Sequence, residues 1–318
     1  MAGDLLIGST GFVGTNLLRS RGFAAQCNSA TIAQMRGGRF DTVVCAAAPG
    51  SMVAANRAPE ADRAAIENLI GHLETLSARR FVLISTIAVL AQFDAGDDET
   101  STGFQEDLAY GCHRRHLEAF CQARFPGALI LRLPALYGAG LKKNFLFDLA
   151  NPVPSMLTAQ AFDALSATMP APPFAALASC LSWQDGIGMH VLDRAMLNAR
   201  PERAAIETAL VALGRTALQF THRDSRFQYF GLAGLSEVIA RALEAGVETL
   251  HVATEPVSAA EVHLRLLGRE MPETGAKLHR EDFHTRHAGV FGGAAPYLRG
   301  REAVIADIAR WYRDGGWI

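Results

Sequence analysis

Tyr110 and Arg114 stand four residues apart in a stretch of helical periodicity, which places a phenol and a guanidinium on one face of a helix, a turn apart. A free phenol ionises near pH ~10 and a fixed positive neighbour lowers that value, so the pair has the makings of a proton relay. Ser85 and Thr86 close an apolar run earlier in the chain, and a hydroxyl there could share a substrate oxygen with the phenol. The same residues are equally those of a packed helix beside a strand end, and at this level both readings stand. A second chemical signal opens the chain: Leu5-Leu6-Ile7-Gly8-Ser9-Thr10-Gly11-Phe12-Val13-Gly14 runs from an apolar strand-like segment into three glycines and then a helix-like segment, Thr15 to Leu18. Glycines let backbone approach a pyrophosphate closely, and a helix beginning at Phe12 turns its unpaired N–H groups toward that anion. The strand before and the helix after supply the context that a glycine triplet by itself lacks.

Such groups need a scaffold that gathers strand ends at one edge. Buried-strand runs recur at Thr42 to Ala48, Phe81 to Thr86 and Ala128 to Leu133, with a shorter one at Ala24 to Asn28. Helical patterns lie between them, through Ile66, Leu69, Ile70, Leu73 and Leu76 and from about Leu108 to Arg124. This alternation predicts an α/β fold, a parallel sheet covered by helices on both faces, with ligands collecting at the C-terminal strand ends. After Gly138 proline-bearing loops separate alanine-rich helical stretches. The expected division is therefore a dinucleotide domain over 1–143 and a smaller, mostly helical substrate lobe over 144–318. Strand-like pieces at Ala217 to Phe220 and Thr249 to Ala253 would return part of 216–253 to the sheet.

Composition narrows the partners. At 318 residues, with a formal net charge of −2, the chain has no electrostatic footprint for nucleic acid or for an acidic membrane surface. The five cysteines lack paired metal-ligand spacing and read as reduced, buried thiols. No charged leader precedes a signal-type stretch and no apolar run approaches a membrane span, so a soluble cytoplasmic protein is expected. His284 and His287 lack a third ligand in view, which gives no metal site. Lys142 and Lys143 suit either a diphosphate or plain solvent, and Trp311, Tyr312 and Trp317 suit packing of the lobe or a contact between copies.

In order along the chain, these motifs resemble those of the extended short-chain dehydrogenase/reductases, the group of nucleotide-sugar epimerases, dehydratases and 4-ketoreductases. Gly8, Gly11 and Gly14 match its glycine fingerprint, Ala46-Ala47-Ala48 the end of a main strand, and Asn68-Leu69-Ile70-Gly71 its helical Asn-x-x-Gly. Ser85-Thr86 fits its hydroxyl site, Tyr110-Gly111 its Tyr-Gly-x-x-Lys, and Arg132 to Gly138 its Arg-x-x-Asn-Val-Tyr-Gly. Asn144-Phe145-Leu146, Phe227-Gln228-Tyr229 and Thr254 to Ser258 occupy the places of later signatures. The resemblance implies a Rossmann-type doubly wound sheet and NAD or NADP held by Gly8 to Gly14, Asn28, Ala46 to Ala48, Asn68, Tyr110, Arg114 and Pro134. It implies catalysis by Tyr110, Arg114 and Thr86 with help from Ser85, and a nucleotide-sugar substrate met by Thr86, Lys143, Asn144 and Gln228. A homodimer follows by analogy.

Departures refine the expectation. Arg114 stands where the family has lysine, keeping the charge but unable to give up a proton. Thr86-Ile87-Ala88 offers neither the acidic pair of the dehydratases nor the cysteine of the 3,5-epimerases. Direct hydride chemistry at a carbonyl remains: reduction of a 4-keto-deoxysugar, with a C4 epimerase retaining NAD or a non-catalytic dinucleotide binder as alternatives. Asn28-Ser29, neither acid nor arginine, leaves NAD and NADP both open.

Overall fold

The computed structural model describes residues 3–316; Trp317 of the aromatic tail lies outside them. The chain begins β1 (Leu5–Ile7), α1 (Phe12–Ser20), β2 (Ala25–Cys27), β3 (Arg39–Cys45), α2 (Met52–Arg57), α3 (Pro59–Leu73), β4 (Ser77–Thr86), α4 (Ala109–Arg124), β5 (Leu129–Leu133) and β6 (Ala135–Tyr137). It continues α5 (Phe145–Ala150), β7 (Met156–Leu157), α6 (Ala159–Thr168), α7 (Ala171–Ala178), β8 (Leu181–Gln184), β9 (Met189–Leu192), α8 (Arg194–Asn198) and α9 (Arg203–Ala212). The last stretch holds β10 (Arg226–Phe227), β11 (Tyr229–Gly231), α10 (Leu235–Glu244), β12 (Thr249–His251), β13 (Val257–Ser258), α11 (Ala259–Leu267) and α12 (Arg301–Arg313).

Two units result, and they are not contiguous in sequence. The first takes 1–141, 226–258 and 280–318, and the second 142–225 and 259–279. The strand at Thr249–His251 returns to the sheet as expected, but the expected lobe of 144–318 is corrected at its end: the stretch from 280 onward also folds with the sheet, joined by backbone pairings such as the Thr254–Arg299 bridge.

In the first unit six strands run parallel in the order β12-β5-β4-β3-β1-β2. The chain passes to one side of β1 for β2 and to the other for β3, which makes the C-terminal ends of β1 and β3 a topological switch point. Alternation along the strands fills both faces. Leu5, Ile7, Val43 and Leu83 join Ile66, Leu69, Ile70 and Leu73 of α3 and Leu117 and Cys121 of α4, while Leu6, Val44 and Val82 join Leu17 of α1 and Leu235, Val238 and Ile239 of α10. Each such fully buried aliphatic side chain contributes about 1.5–3 kcal/mol. All five cysteines are free, and burial pushes the Cys27 and Cys45 thiols up to about 11 and about 12, so both serve as apolar filling.

β12 ends the sheet, and a carboxylate stands along its outer side. Glu99 Oε1 accepts from the His251 N–H at 2.8 Å and from the Thr285 hydroxyl at 2.6 Å, and Oε2 accepts from the Arg286 N–H at 3.0 Å.

The second unit packs α6, α7 and α9 around Leu165, Leu177, Leu197, Ile206 and Leu210. It also carries a three-stranded antiparallel sheet, β7-β9-β8, that the expectation of a mostly helical lobe did not include. Ala217 to Phe220, expected as a strand, is a 3-10 turn whose first N–H donates to Pro152 O at 2.8 Å. No helix among the described residues is long and apolar enough to cross a membrane.

Candidate active site

The glycine loop follows β1 at the switch point. Gly8 sits at φ +90° with its N–H on Cys27 O (2.8 Å), and a Cβ there would fall 2.4 Å from Ala46 O. A Cβ on Gly14 would fall 2.1 Å from Gly8 O, so both glycines are required by the chain's own crossing. Gly11 is different. It is exposed, and a Cβ there would meet only Gly8 O at 3.4 Å and Ala46 O at 4.0 Å. It is also the N-cap of α1 and brings no side-chain acceptor to the first N–H groups of that helix. Nothing inside the protein demands glycine at 11, whereas an anion approaching the helix start would. Ser9 is buried and Thr10 exposed beside it, while Phe12 and Val13 turn back onto the core.

Around this loop Ala46, Ala47 and Ala48 leave the end of β3 half-buried, and Pro134 is buried between β5 and β6. Asn28 spends its amide oxygen on Ala30 N–H (3.0 Å) and the Thr31 hydroxyl (3.3 Å), closing a turn after β2. Asn16, unremarked in the sequence, ties α1 to the loop after β6: its Nδ2 donates to Ala139 O (2.9 Å) and its Oδ1 accepts from Ala139 N–H (3.1 Å). Its signal was a polar residue in the apolar stripe of a helix.

Thr86, Tyr110 and Arg114 come together. α4 can press against the turn after Thr86 because Gly111 has no side chain; a Cβ there would lie 2.3 Å from Ala88 O. That contact carries Tyr110 to β4, where its phenol lies beside the Thr86 hydroxyl. The first turn of α4 is held by Asn56 Oδ1, which accepts the Tyr110 N–H at 2.9 Å. The Arg114 guanidinium lies over the Tyr110 ring, its carbon 4.1 Å from the centroid. Burial raises the Tyr110 phenol above its usual range, and the lowering by Arg114 and by the Thr86 hydroxyl does not cancel it. The expected downward shift is therefore corrected: the phenol stays protonated at neutral pH and holds a proton it could give.

Three expected site residues are placed elsewhere. Ser85 faces away from Thr86, as strand alternation requires, and donates to Glu118 Oε1 at 2.6 Å. Asn68 is exposed on the outer side of α3, because the helical period turns 62, 66, 69, 70 and 73 inward and 68 outward. The polar residue that α3 does bring inward is Asp62, which pairs with Arg114. An acidic residue in an apolar stripe was the sequence signal for it. Gln228 is fully buried: its Nε2 donates to Thr254 O and Phe283 O, and its Oε1 accepts the Phe283 N–H at 2.7 Å, so its amide joins its own segment to those of Thr254 and Phe283.

A buried network lies one turn further along α4. Glu118 receives Arg132 Nε (3.0 Å), Arg132 Nη2 (2.7 Å) and Arg115 Nη1 (3.1 Å) besides Ser85. Arg132 Nη1 donates to His251 Nε2 at 3.1 Å, which leaves the imidazole proton on Nδ1, facing His284 O at 3.1 Å. Burial holds His251 below its usual range.

In the second unit Asn144, at φ +105°, caps α5 by accepting the Phe147 N–H at 3.2 Å, with Lys143 exposed before it. Burial pushes the Asp148 carboxyl on the same helix up to about 7. Among the described residues no group of three or more His, Cys, Asp or Glu side chains is arranged to hold a metal ion.

No family model and no curated protein matches this chain in sequence. Solved structures do match it in fold. A UDP-galactose 4-epimerase superposes with a TM-score of 0.60 at 14% identity, covering 98% of this chain and 99% of its own. A dTDP-4-dehydrorhamnose reductase from Bacillus anthracis, in complex with NADP, gives 0.62 at 13% identity over 99% of both chains. A UDP-glucose 4-epimerase from Thermotoga maritima, with UDP-glucose, gives 0.57 at 11% identity over 98% and 99%. The chain therefore shares the Rossmann-type α/β fold of these solved structures over nearly its whole length.

Proposed function

We propose that the protein is an NAD(P)-dependent oxidoreductase that reduces a 4-keto-deoxysugar carried on a nucleotide. The observation that carries this is the Thr86–Tyr110–Arg114 group: a protonated phenol, a hydroxyl beside it and a buried cation across its ring. The residues present fit a dinucleotide on two counts. Gly11 is a glycine that no internal contact explains, at an uncapped helix start. Arg114 Nε–H is buried without a partner, a donor fit for a ribose hydroxyl. Gly8 to Gly14 would hold the pyrophosphate, and Ala46 to Ala48 and Pro134 would line the rest of the cofactor. The dinucleotide supplies a hydride. Tyr110 gives its proton to the carbonyl oxygen, Thr86 orients that oxygen by a hydrogen bond, and Arg114 stabilises the phenolate left behind.

The test is NAD(P)H consumption, read as near-ultraviolet absorbance, with a panel of nucleotide 4-keto-6-deoxysugars, for the wild type and Tyr110→Phe. Consumption that disappears in the variant while dinucleotide affinity changes less than about threefold (roughly 0.7 kcal/mol) is expected. Turnover unchanged in Tyr110→Phe would remove this mechanism. Inversion at C4 without net consumption would make the protein an epimerase, a reading supported by the fold it shares with two such enzymes.

A further inference from the structure

Arg114 spends its donors unevenly. Nη2 donates to Asp62 Oδ1 at 2.8 Å and to Pro49 O, and Nη1 donates to Asp62 Oδ2 and more distantly to Tyr110 O at 3.4 Å. Nε–H alone has no partner, although the whole side chain is 2% exposed. A guanidinium is planar, so a carboxylate that takes both Nη groups sets its plane and with it the direction of Nε–H. Asp62 is itself fixed from the other side by His113 Nδ1 at 2.7 Å. Burial pushes the Asp62 carboxyl up, but the hydrogen bonds and charges of Arg114 and His113 outweigh it and keep the carboxylate ionised.

We propose that Asp62 is a positioning residue for the Tyr110 centre: it locks the Arg114 guanidinium over the phenol ring and leaves Nε–H as the one donor offered to a ligand. Its consequence for turnover rests on the function proposed above, whereas the lock is a property of the ligand-free chain. A lysine at 114 has no plane for a carboxylate to set, so the arginine and Asp62 act as a unit. Without Asp62 the guanidinium is a buried charge with no counter-ion, costly enough to drive it off the ring toward water.

The sign of one shift decides the matter. The charged groups facing Tyr110 are Arg114 on its own helix and Asp62 from α3, with His113 behind Asp62; Arg114 lowers the phenol and Asp62 raises it, the cation having the larger effect. Tyrosinate absorbance is followed by pH jump in the ligand-free protein, and the trace of Tyr110→Phe is subtracted to isolate Tyr110. If Asp62 is the lock, Asp62→Ala loses the cation along with the anion, and Tyr110 ionises at higher pH than in the wild type. Were Asp62 only a nearby charge, the guanidinium would stay and Tyr110 would ionise at lower pH or where it did before, which would overturn the proposal. Asp62→Glu keeps the charge and the fold but moves the anchor by one methylene. It too must shift Tyr110 upward, and no shift there overturns the lock even if Asp62→Ala does not fold. Dinucleotide binding is measured separately on the wild type by calorimetry; its absence would sink the proposed function and leave the tyrosinate result to stand by itself.

Discussion

Arg114–Asp62 and Arg132–Glu118 are both buried arginine–carboxylate pairs built on α4, yet they differ in how completely they are satisfied. Glu118 accepts four hydrogen bonds, and Arg132 passes its remaining contact to His251. Arg114 keeps one donor unspent beneath the Tyr110 ring. Buried donors are paired in folded proteins as a rule, and on the function proposed above the unspent Arg114 donor is the one left for a ligand, while the closed pair holds the fold. The difference teaches that the same residue types, a helical turn apart, can be satisfied to different degrees, one pair closed on itself and the other with a donor to spare.

The largest effect that would test this division is at the closed pair. Glu118→Ala leaves the Arg132 guanidinium without its counter-ion in the core, and a loss of about 3–5 kcal/mol in urea unfolding is expected. Replacing both partners, Glu118→Leu with Arg132→Met, should recover most of that loss, because an apolar pair leaves no charge uncompensated. If the single variant cost under about 1 kcal/mol, the network would not be the scaffold described here. At the open pair the expected loss is in binding. Arg114→Met, which leaves Asp62 its hydrogen bond to His113, should weaken dinucleotide affinity about tenfold to a hundredfold in calorimetry, the worth of one hydrogen bond from a charged donor. Equal affinity would mean that Nε–H serves no ligand.

The smallest effect sharpens the contrast through pH. His251 is neutral and accepts from Arg132, and its folded-state value lies below that of a free imidazole. The unfolded chain takes a proton near pH ~6.5 while the folded one refuses it, so this contribution is complete above that pH and is lost as pH falls. Asp148, raised by burial, works the other way in wild type and variant alike, so the contribution is read as a difference: the gap in unfolding midpoint between the wild type and His251→Gln should change between about pH 7 and about pH 5, the wild type losing more as pH falls. His263, also lowered by burial, acts in the same direction in both proteins and cancels in the difference. Parallel curves would show that His251 does not carry the acid sensitivity.

Much of the first unit was legible in the sequence because its strands are nearly continuous apolar runs, as at Phe81 to Thr86, and its helices show one clear stripe. β7, β8 and β9 were not, since strands of two to four residues carry too little periodicity to be told from loop. The return of 280–318 to the sheet unit rests on backbone pairing with distant partners, which leaves no local pattern. In the site, Thr86, Tyr110 and Arg114 could be read because chemistry demands their types, whereas Asn68 was misplaced by a motif loose enough to fit on the wrong side of α3. Asp62 and Gln228 required knowing what faces them, and spacing along one chain does not encode that.

Glu99, whose carboxylate lies along β12, bears on how molecules of this protein meet one another. A strand at the end of a sheet ordinarily offers its backbone as a template on which a strand of a neighbouring molecule can grow. Here an acidic side chain has taken the backbone N–H of His251 at the end of that strand and would repel the carboxylates of a second copy brought up in the same register. Sheet extension between molecules is left the opposite margin, the three residues of β2. Beside the shortness of the strand, a single charged group thereby blunts this edge against stacking.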